Sequence, residues 1–163
     1  MLKKALFVFI IIGPIFFGAC STTTGPLFAE VPTENYKEKA KIYFYRNSEC
    51  SSWNAFNFAI NDDAPRPLLN EGYYLLVLEP GKYELRVMHD KSVVATNSFI
   101  FGAEEIYFVR FMVQCERLPV TPFIILPGGT PGYRPITNIV SESRDEALAG
   151  LKQSHLIEAP MKR

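Results

Sequence analysis

The sequence has 163 residues and a formal net charge of zero, because 17 Lys and Arg residues are balanced by 17 Asp and Glu residues. A chain with no net charge lacks the electrostatic signature of a nucleic-acid-binding protein, so no nucleic-acid partner is expected. With 48% hydrophobic and 21% charged residues, the composition excludes a disordered chain and predicts one folded domain.

The first 19 residues have the organisation of an export signal. Lys3-Lys4 precedes an uncharged, mostly apolar run over residues 5–17. This run is shorter than the roughly 20 apolar residues of a membrane-spanning helix, and Gly13-Pro14 interrupts it. We therefore predict a signal peptide over residues 1–19.

The end of this signal resembles the lipobox of bacterial lipoproteins. It reads Phe17-Gly18-Ala19-Cys20, with two small residues before the cysteine and with Phe where the family usually has Leu. The resemblance implies that Cys20 receives diacylglycerol, becomes the first residue of the mature protein and anchors it to a membrane. Ser21 resembles the residue that follows the cysteine in lipoproteins forwarded to the outer membrane, which implies a cell-envelope location facing the periplasm. The alternative is an ordinary signal peptide with an unmodified cysteine.

Residues 20–37 are predicted to form a flexible tether, because the stretch after Cys20 is small, polar and interrupted by Gly25-Pro26. Residues 38–140 contain segments of alternating apolar and polar residues separated by turn residues, which is typical of β-strands. The predicted strands cover residues 41–46, 55–60, 73–78, 83–88, 93–101, 106–113 and 136–140.

The turn residues predict how these strands connect. Pro80-Gly81 favours a tight turn after strand 73–78, and residues 102–105 are predicted to close a second hairpin. Pro65 and Pro67 place the short segment that follows at a sheet edge or in a loop. Strands at this spacing predict a mainly β fold, a small antiparallel β-sandwich.

The C-terminal residues 141–163 are predicted to form one short helix and a tail. Ser143-Arg144-Asp145-Glu146 has the spacing of a capping box, in which the first and fourth residues exchange hydrogen bonds. We expect the helix to end near Ser154 and a frayed basic tail to follow it.

Four motifs in one order carry a family resemblance. They are Ile42-Tyr43-Phe44-Tyr45-Arg46, Phe58-Ala59-Ile60-Asn61-Asp62, Leu69-Asn70-Glu71-Gly72-Tyr73 and Glu79-Pro80-Gly81-Lys82-Tyr83-Glu84-Leu85. The series resembles a bacterial domain of unknown function found on small exported lipoproteins, and its Pro-Gly hairpin is similar to transthyretin-like and carboxypeptidase-regulatory-like sandwiches. The resemblance spans residues 40–115 and implies a small β-sandwich without an established activity.

Neither histidine has the partners of a catalytic or metal site. An adjacent pair such as His89-Asp90 directs its side chains to opposite faces of a strand, so Asp90 is not expected to orient His89. Neither His89 nor His155 has a Cys or His three or four residues away. Asn61-Asp62-Asp63 lacks the alternating ligands of a calcium loop and predicts a turn. We expect no catalytic residues, no metal and no cofactor.

Aromatic residues are the candidate binding side chains. Trp53, Tyr43, Tyr45, Tyr73 and Tyr74 are amphipathic rings that could line a ligand or partner surface. The alternative is that the tyrosines build the sandwich core and keep their hydroxyl groups at its rim.

Lipidation of Cys20 would leave Cys50 and Cys115 as an even pair in an oxidising compartment, which predicts a disulfide. Each is expected just beyond a strand end. Two buried free thiols are the alternative.

These observations predict a non-enzymatic cell-envelope lipoprotein, a β-sandwich binding or structural module on a lipid tether. Its expected partners are the membrane and an envelope protein or glycan. The alternatives are an envelope hydrolase or carbohydrate-active enzyme, and a surface-displayed adhesive protein.

Overall fold

The computed structural model describes residues 25–30, 38–48, 56–117, 133–157 and 161–162. In that part of the chain, two β-sheets pack face to face and one short helix follows, which confirms the predicted sandwich. The elements are β1 (Ala40–Arg46), β2 (Phe56–Ile60), β3 (Arg66–Leu68), β4 (Gly72–Leu78), β5 (Gly81–His89), β6 (Ser92–Phe101), β7 (Ile106–Arg117), β8 (Tyr133–Glu142), α1 (Arg144–Leu151), β9 (His155–Leu156) and β10 (Met161–Lys162).

The larger sheet, sheet A, is mixed rather than purely antiparallel. Its order is β10-β4-β1-β7-β8, and β9 also pairs with β4. The β1–β4 and β7–β8 pairs are antiparallel, whereas β1 and β7 run parallel and both short C-terminal strands run parallel to β4. The C-terminal tail therefore extends the sheet in residues 155–156 and 161–162 instead of fraying.

The smaller sheet, sheet B, is antiparallel in the order β3-β2-β5-β6. Its β3 is an edge strand, as the prolines at 65 and 67 predict. β5 and β6 form a hairpin across Asp90-Lys91, where Asp90 adopts a φ of 54°. Asp tolerates this left-handed conformation because its short side chain can bond to the local backbone.

Both hairpins predicted from turn residues are wrong. The Pro80-Gly81 turn joins β4 of sheet A to β5 of sheet B, and residues 102–105 join β6 of sheet B to β7 of sheet A. β4 already has β1 on one side and the C-terminal strands on the other, and β7 lies between β1 and β8. Because neither strand has a free edge for its sequence neighbour, the chain crosses the sandwich at both turns.

The main core lies between the two sheets. One face of sheet A contributes alternate residues of β1, β4 and β7, such as Phe44, Leu76 and Phe111, and sheet B contributes Phe58 and Val87. Aromatic rings meet across this interface: the Phe44 and Phe58 centroids are 4.9 Å apart. This alternation is the signal by which the strands were predicted.

The other face of sheet A is covered as well. A second buried cluster contains Tyr43, Tyr45, Tyr73, Leu75, Val77 and Phe108 of the sheet together with Ala147 and Leu151 of α1. Phe28 and Leu156 pack against it. All residues of β1 and β4 are buried for this reason. Residues 25–30, predicted to belong to a flexible tether, are part of this covering layer.

Helix α1 starts at the predicted capping box and ends at Leu151, three residues before the predicted end. Its N-cap residue Ser143 has an extended backbone, and its N–H and hydroxyl groups both donate to the Glu146 carboxylate, at 3.2 and 2.7 Å.

Two side chains link the neighbouring edges of the sheets. Asn97 Nδ2 of β6 donates to the carbonyl oxygen of Ile139 in β8, at 2.9 Å. Thr137 Oγ1 of β8 donates to the carbonyl oxygen of Val94 in β6, at 2.7 Å. The open side of the sandwich between β6 and β8 is thus bridged in both directions.

Among the helices of the described ranges, none has the length and apolar character needed to cross a bilayer. The predicted signal peptide (residues 1–19) and Cys20 lie outside the described residues.

Candidate functional site

The four tyrosines of the predicted binding surface are core residues. Tyr43 and Tyr45 are 0% exposed, Tyr74 is 1% and Tyr73 is 4% exposed. The prediction of a surface is wrong for these four residues because sheet A is covered on both faces, so that both sets of alternating side chains in β1 and β4 are buried. Trp53, the fifth residue of the prediction, lies outside the described residues.

Each of these tyrosines has a packing role. Tyr43 stacks on Phe108 with ring centroids 5.4 Å apart. The Tyr74 hydroxyl donates to the carbonyl oxygen of Pro67 at 2.5 Å, which connects β4 of sheet A to β3 of sheet B. Burial raises the pKa of the Tyr73 hydroxyl. The alternative interpretation, a tyrosine-rich core, is the one that the structure bears out.

A partly buried polar arrangement, here called the Glu142 cluster, is formed by Tyr45, Arg110 and Glu142. The Tyr45 hydroxyl donates to Glu142 Oε2, and Arg110 Nη1 lies 3.1 Å from Glu142 Oε1. Gly150 of α1 lies over Tyr45, because a Cβ at this glycine would be 3.2 Å from Tyr45 Cε2. Three strands therefore meet at one carboxylate, and the helix packs on the tyrosine that bonds to it.

The chemistry of the Glu142 cluster suits a structural role. Burial, followed by the hydrogen bond to Glu142, raises the pKa of Tyr45 far above its ordinary value of 10.0, so this hydroxyl remains protonated at neutral pH. A tyrosine in that state is a poor nucleophile and a poor general base. The two oxygens of Glu142 already accept bonds from Tyr45 and Arg110. Sequence reasoning missed this cluster, since its members are far apart in the chain.

Two charged residues of β1 are buried, which no pattern in the sequence indicates. Arg46 is 0% exposed; its Nη1 donates to the carbonyl oxygen of Leu68 at 3.2 Å, and its Cζ lies 4.6 Å from the Phe56 ring centroid. Burial lowers the pKa of Arg46 to about 10, which leaves the guanidinium charged at neutral pH. Burial also lowers the pKa of Lys41, and the negative charge of Glu30 opposes this shift.

The two histidines lie in different sheets. His89 ends β5, and its ring centroid is 5.3 Å from that of Phe56. Asp90 lies in the turn rather than on the strand, so its Oδ2 approaches His89 Nδ1 to 3.6 Å, contrary to the expectation that the two side chains diverge. That distance exceeds hydrogen-bonding range. His155 begins β9, and its Nδ1 lies 2.7 Å from the carbonyl oxygen of Gly25.

The acidic turn after β2 has the predicted structural role. Asn61 adopts a φ of 51°, and its Oδ1 accepts a hydrogen bond from the Glu84 backbone N–H at 2.9 Å. Within the described residues, no group of three or more His, Cys, Asp or Glu side chains is arranged to hold a metal ion.

The outer face of sheet B carries the most exposed large apolar side chain among the described residues. Ile100 of β6 is 78% exposed and Val93 is 55% exposed. Ile100 pairs with Lys82, and Val93 pairs with Met88, across the β5–β6 hairpin. α1 and residues 25–30 lie on the opposite sheet, so they do not cover this face.

Cys115 lies within β7, where it pairs with Pro135 of β8, and not beyond the strand end as predicted. Its predicted partner Cys50 lies outside the described residues.

No family model matches this chain, and comparison with curated proteins gives no match. The resemblances to bacterial lipoproteins and to transthyretin-like sandwiches therefore stay predictions.

Proposed function

We propose that this chain is a non-enzymatic lipoprotein of the bacterial cell envelope, in which a β-sandwich acts as a binding or structural module. The observation that carries the proposal is the order of Lys3-Lys4, the uncharged run over residues 5–17 and Gly18-Ala19-Cys20. A signal of this form exports the chain and presents a cysteine thiol for acylation. Two or more acyl chains hold a protein stably on a membrane, whereas one chain binds only reversibly.

The bonding of the partly buried polar groups supports the non-enzymatic part of the proposal. In the Glu142 cluster, the carboxylate is bonded on both oxygens, and Tyr45 has a raised pKa. His155 directs Nδ1 at the carbonyl oxygen of Gly25, which requires a proton on that nitrogen. These groups are engaged in holding elements together, which is a structural use.

The anchoring is tested by the intact mass of the protein extracted from membranes. We expect the loss of residues 1–19 and the added mass of acyl chains on Cys20. A Ser21→Ala variant, which keeps the thiol, is the matched control and should be acylated in the same way. A Cys20→Ala chain that is still cut before residue 20 and stays on the membrane would contradict the proposal.

The binding is tested on the outer face of sheet B. We place the partner on this face because Ile100, at 78% exposed, offers an apolar side chain that a protein partner would cover. A photo-cross-linking amino acid at Ile100 should give a discrete protein adduct in intact cells. The same amino acid at Lys152, an exposed position on the helix side, should give no protein adduct. Equal yields at the two positions, or none at either, would reject sheet B as a binding face.

A further inference from the structure

The backbone of residues 25–30, here called the docked segment, is hydrogen-bonded to the body. Leu27 and His155 form an antiparallel bridge. The Phe28 N–H donates to the carbonyl oxygen of Ser154, and the Leu156 N–H donates to that of Pro26, both at 2.9 Å. The docked segment therefore lies alongside β9, at the edge of sheet A that β9 forms, here called the β9 edge.

Side chains of the docked segment continue the same contact. The Phe28 ring packs edge-on against Tyr43 and Tyr73, with centroid distances of 5.3 and 5.4 Å. Glu30 accepts two hydrogen bonds from Arg144 at the start of α1, from Nε at 3.2 Å and from Nη2 at 2.7 Å. A bidentate Arg–carboxylate pair fixes orientation better than a single contact does.

Gly25 lies close against the backbone of β9. A Cβ at this position would lie 1.8 Å from the carbonyl oxygen of Leu156, so only glycine allows this approach. The His155 ring holds the same residue through its bond to the Gly25 carbonyl oxygen. The docked segment is thus bonded to the body from its first residue.

Few residues separate the docked segment from the predicted anchor. Residues 21–24 lie between Cys20 and Gly25. A chain extends by at most about 3.6 Å per residue, so the Cα atoms of Cys20 and Gly25 are within about 18 Å of each other in any conformation. If Cys20 carries acyl chains in a bilayer, the β9 edge of sheet A must lie close to the lipid surface.

We propose that the docked segment orients the body on the membrane, with the β9 edge of sheet A against the phospholipid surface. This inference rests on the proposed lipidation of Cys20. Leu27, which is 57% exposed at this edge, presents an apolar side chain to the lipid. Ile100 lies on the other sheet, on β6, the strand bridged to β8 at the opposite edge of sheet A. β6 and Ile100 therefore lie on the side of the sandwich that is far from the lipid.

Photo-cross-linking to lipid tests the orientation. A benzophenone amino acid replaces either Glu71, which is exposed beside β9, or Ile100, in the full-length protein processed in cells. The lipidated product is reconstituted in vesicles of phosphatidylethanolamine and phosphatidylglycerol. We expect lipid adducts to be several-fold more abundant from position 71 than from position 100. Equal yields, or no lipid adduct at position 71, would overturn the proposal.

Variants of Phe28 test whether the docked segment causes the orientation. Phe28→Ala should release the segment and reduce the difference in lipid-adduct yield between positions 71 and 100. Phe28→Leu should keep this difference, because most of the packing is kept. Circular dichroism shows whether the Phe28→Ala protein is folded. If it is unfolded, the lipid-adduct yields at positions 71 and 100 in the wild type and in Phe28→Leu still test the orientation. An undiminished difference in a folded Phe28→Ala protein would contradict this role of the segment.

Intact mass shows separately whether Cys20 is acylated, so failure of the anchor is distinguished from failure of the orientation.

Discussion

Arg46 has its guanidinium enclosed between the two sheets, a rare position for a charged group. The Phe56 ring and the carbonyl oxygen of Leu68 both contact it, so three strands, β1, β2 and β3, depend on one side chain. Such contacts offset the cost of removing the charge from water only while they are all present.

We expect Arg46→Ala to lower the free energy of unfolding by about 3 kcal/mol, because it opens a cavity and removes the donor to Leu68. Arg46→Met fills more of the volume and carries no charge, so it should cost less than Arg46→Ala does. Urea denaturation of the purified mature protein measures both values. A change below about 0.5 kcal/mol for Arg46→Ala, the size typical of surface positions, would show that the side chain is not a structural link.

The Tyr45 hydroxyl makes stability depend on alkaline pH. Burial first, and the bond to Glu142 second, raise the pKa of Tyr45 in the folded state above the 10.0 expected in the unfolded chain. Above pH 10 the unfolded chain releases this proton while the folded protein keeps it. The stabilisation is therefore complete below pH 10 and decreases as the pH rises towards the folded value.

We expect Tyr45→Phe to cost about 1–2 kcal/mol at pH 7, because Glu142 loses a donor. The variant should also lose less stability than the wild type does between pH 9 and pH 11. The control is Tyr83→Phe, whose hydroxyl bonds to the carbonyl oxygen of Glu79 at the exposed surface. Urea titrations at each pH measure the effect, and identical slopes for Tyr45→Phe and the wild type would refute it.

Helix α1 depends on its first turn. The Glu146 carboxylate accepts from the hydroxyl and the N–H of Ser143, and these bonds lower the pKa of Glu146 below 4.5. A lowered pKa means that the stabilisation is present above pH 4.5 and is lost as the pH falls through the folded value. The helix should therefore fray in acid before the sheets do.

Glu146→Gln tests this pH dependence. Amide hydrogen exchange of residues 144–151, corrected for intrinsic rates, should show protection that falls between pH 5 and pH 3 in the wild type. In Glu146→Gln the protection should change much less, because the amide does not titrate in this range. Asp145→Asn alters the same turn without touching the Ser143 contacts and should behave like the wild type. If the acid transition is unchanged in Glu146→Gln, the Glu146 carboxylate is not its cause.

The strands and the helix start were predictable because their signals are local. Phe56, Phe58 and Ile60 alternate with smaller or polar residues, and the β2 bounds differ from the prediction by one residue. The connections were not predictable in this way. Pro80-Gly81 favours a sharp change of direction both when the next strand pairs with the previous one and when it crosses to the other sheet. The long-range strand pairing decides between these two connections.

The predicted tyrosine surface is wrong for a similar reason, since contacts between distant parts of the chain decide which side chains are buried. Alternation in a strand usually means that one face is buried and the other is wet. In β1, Tyr43 and Tyr45 occupy the positions that would be wet, but Phe28 and α1 cover them from distant parts of the sequence. The Glu142 cluster was equally inaccessible, because its Tyr–Glu contact spans 97 positions of the chain.

At the scale of the whole molecule, the parallel pairing of β1 with β7 bears on the cysteines. Arg46 pairs with Phe111, and in the sequence Cys50 follows Arg46 by four residues, as Cys115 follows Phe111. The Ser48 hydroxyl contacts the carbonyl oxygen of Val113 at 3.4 Å, which continues the same register by two residues. We expect Cys50 to continue this register, and equivalent positions on neighbouring strands lie within the roughly 4.4–6.8 Å between Cα atoms that a disulfide spans.

We therefore predict a disulfide between Cys50 and Cys115, worth about 4 kcal/mol in the chain-entropy estimate for a loop of this length. Peptide mapping without reductant should give one cross-linked peptide pair. A Cys50→Ser variant should make Cys115 accessible to alkylation in the denatured protein. Alkylation of both cysteines in the unreduced wild type would exclude the bond.

The two bridges between β6 and β8 matter for a protein held on a membrane, as we propose for this one. Confinement to a surface raises the frequency at which copies meet side by side, and an unpaired strand edge is a template for adding a strand from a neighbour. Asn97 and Thr137 occupy backbone carbonyls on both of these edges with side chains of the same molecule. Those carbonyls are then unavailable to another copy, so this side of the sandwich resists assembly into continuous intermolecular sheets in a crowded envelope.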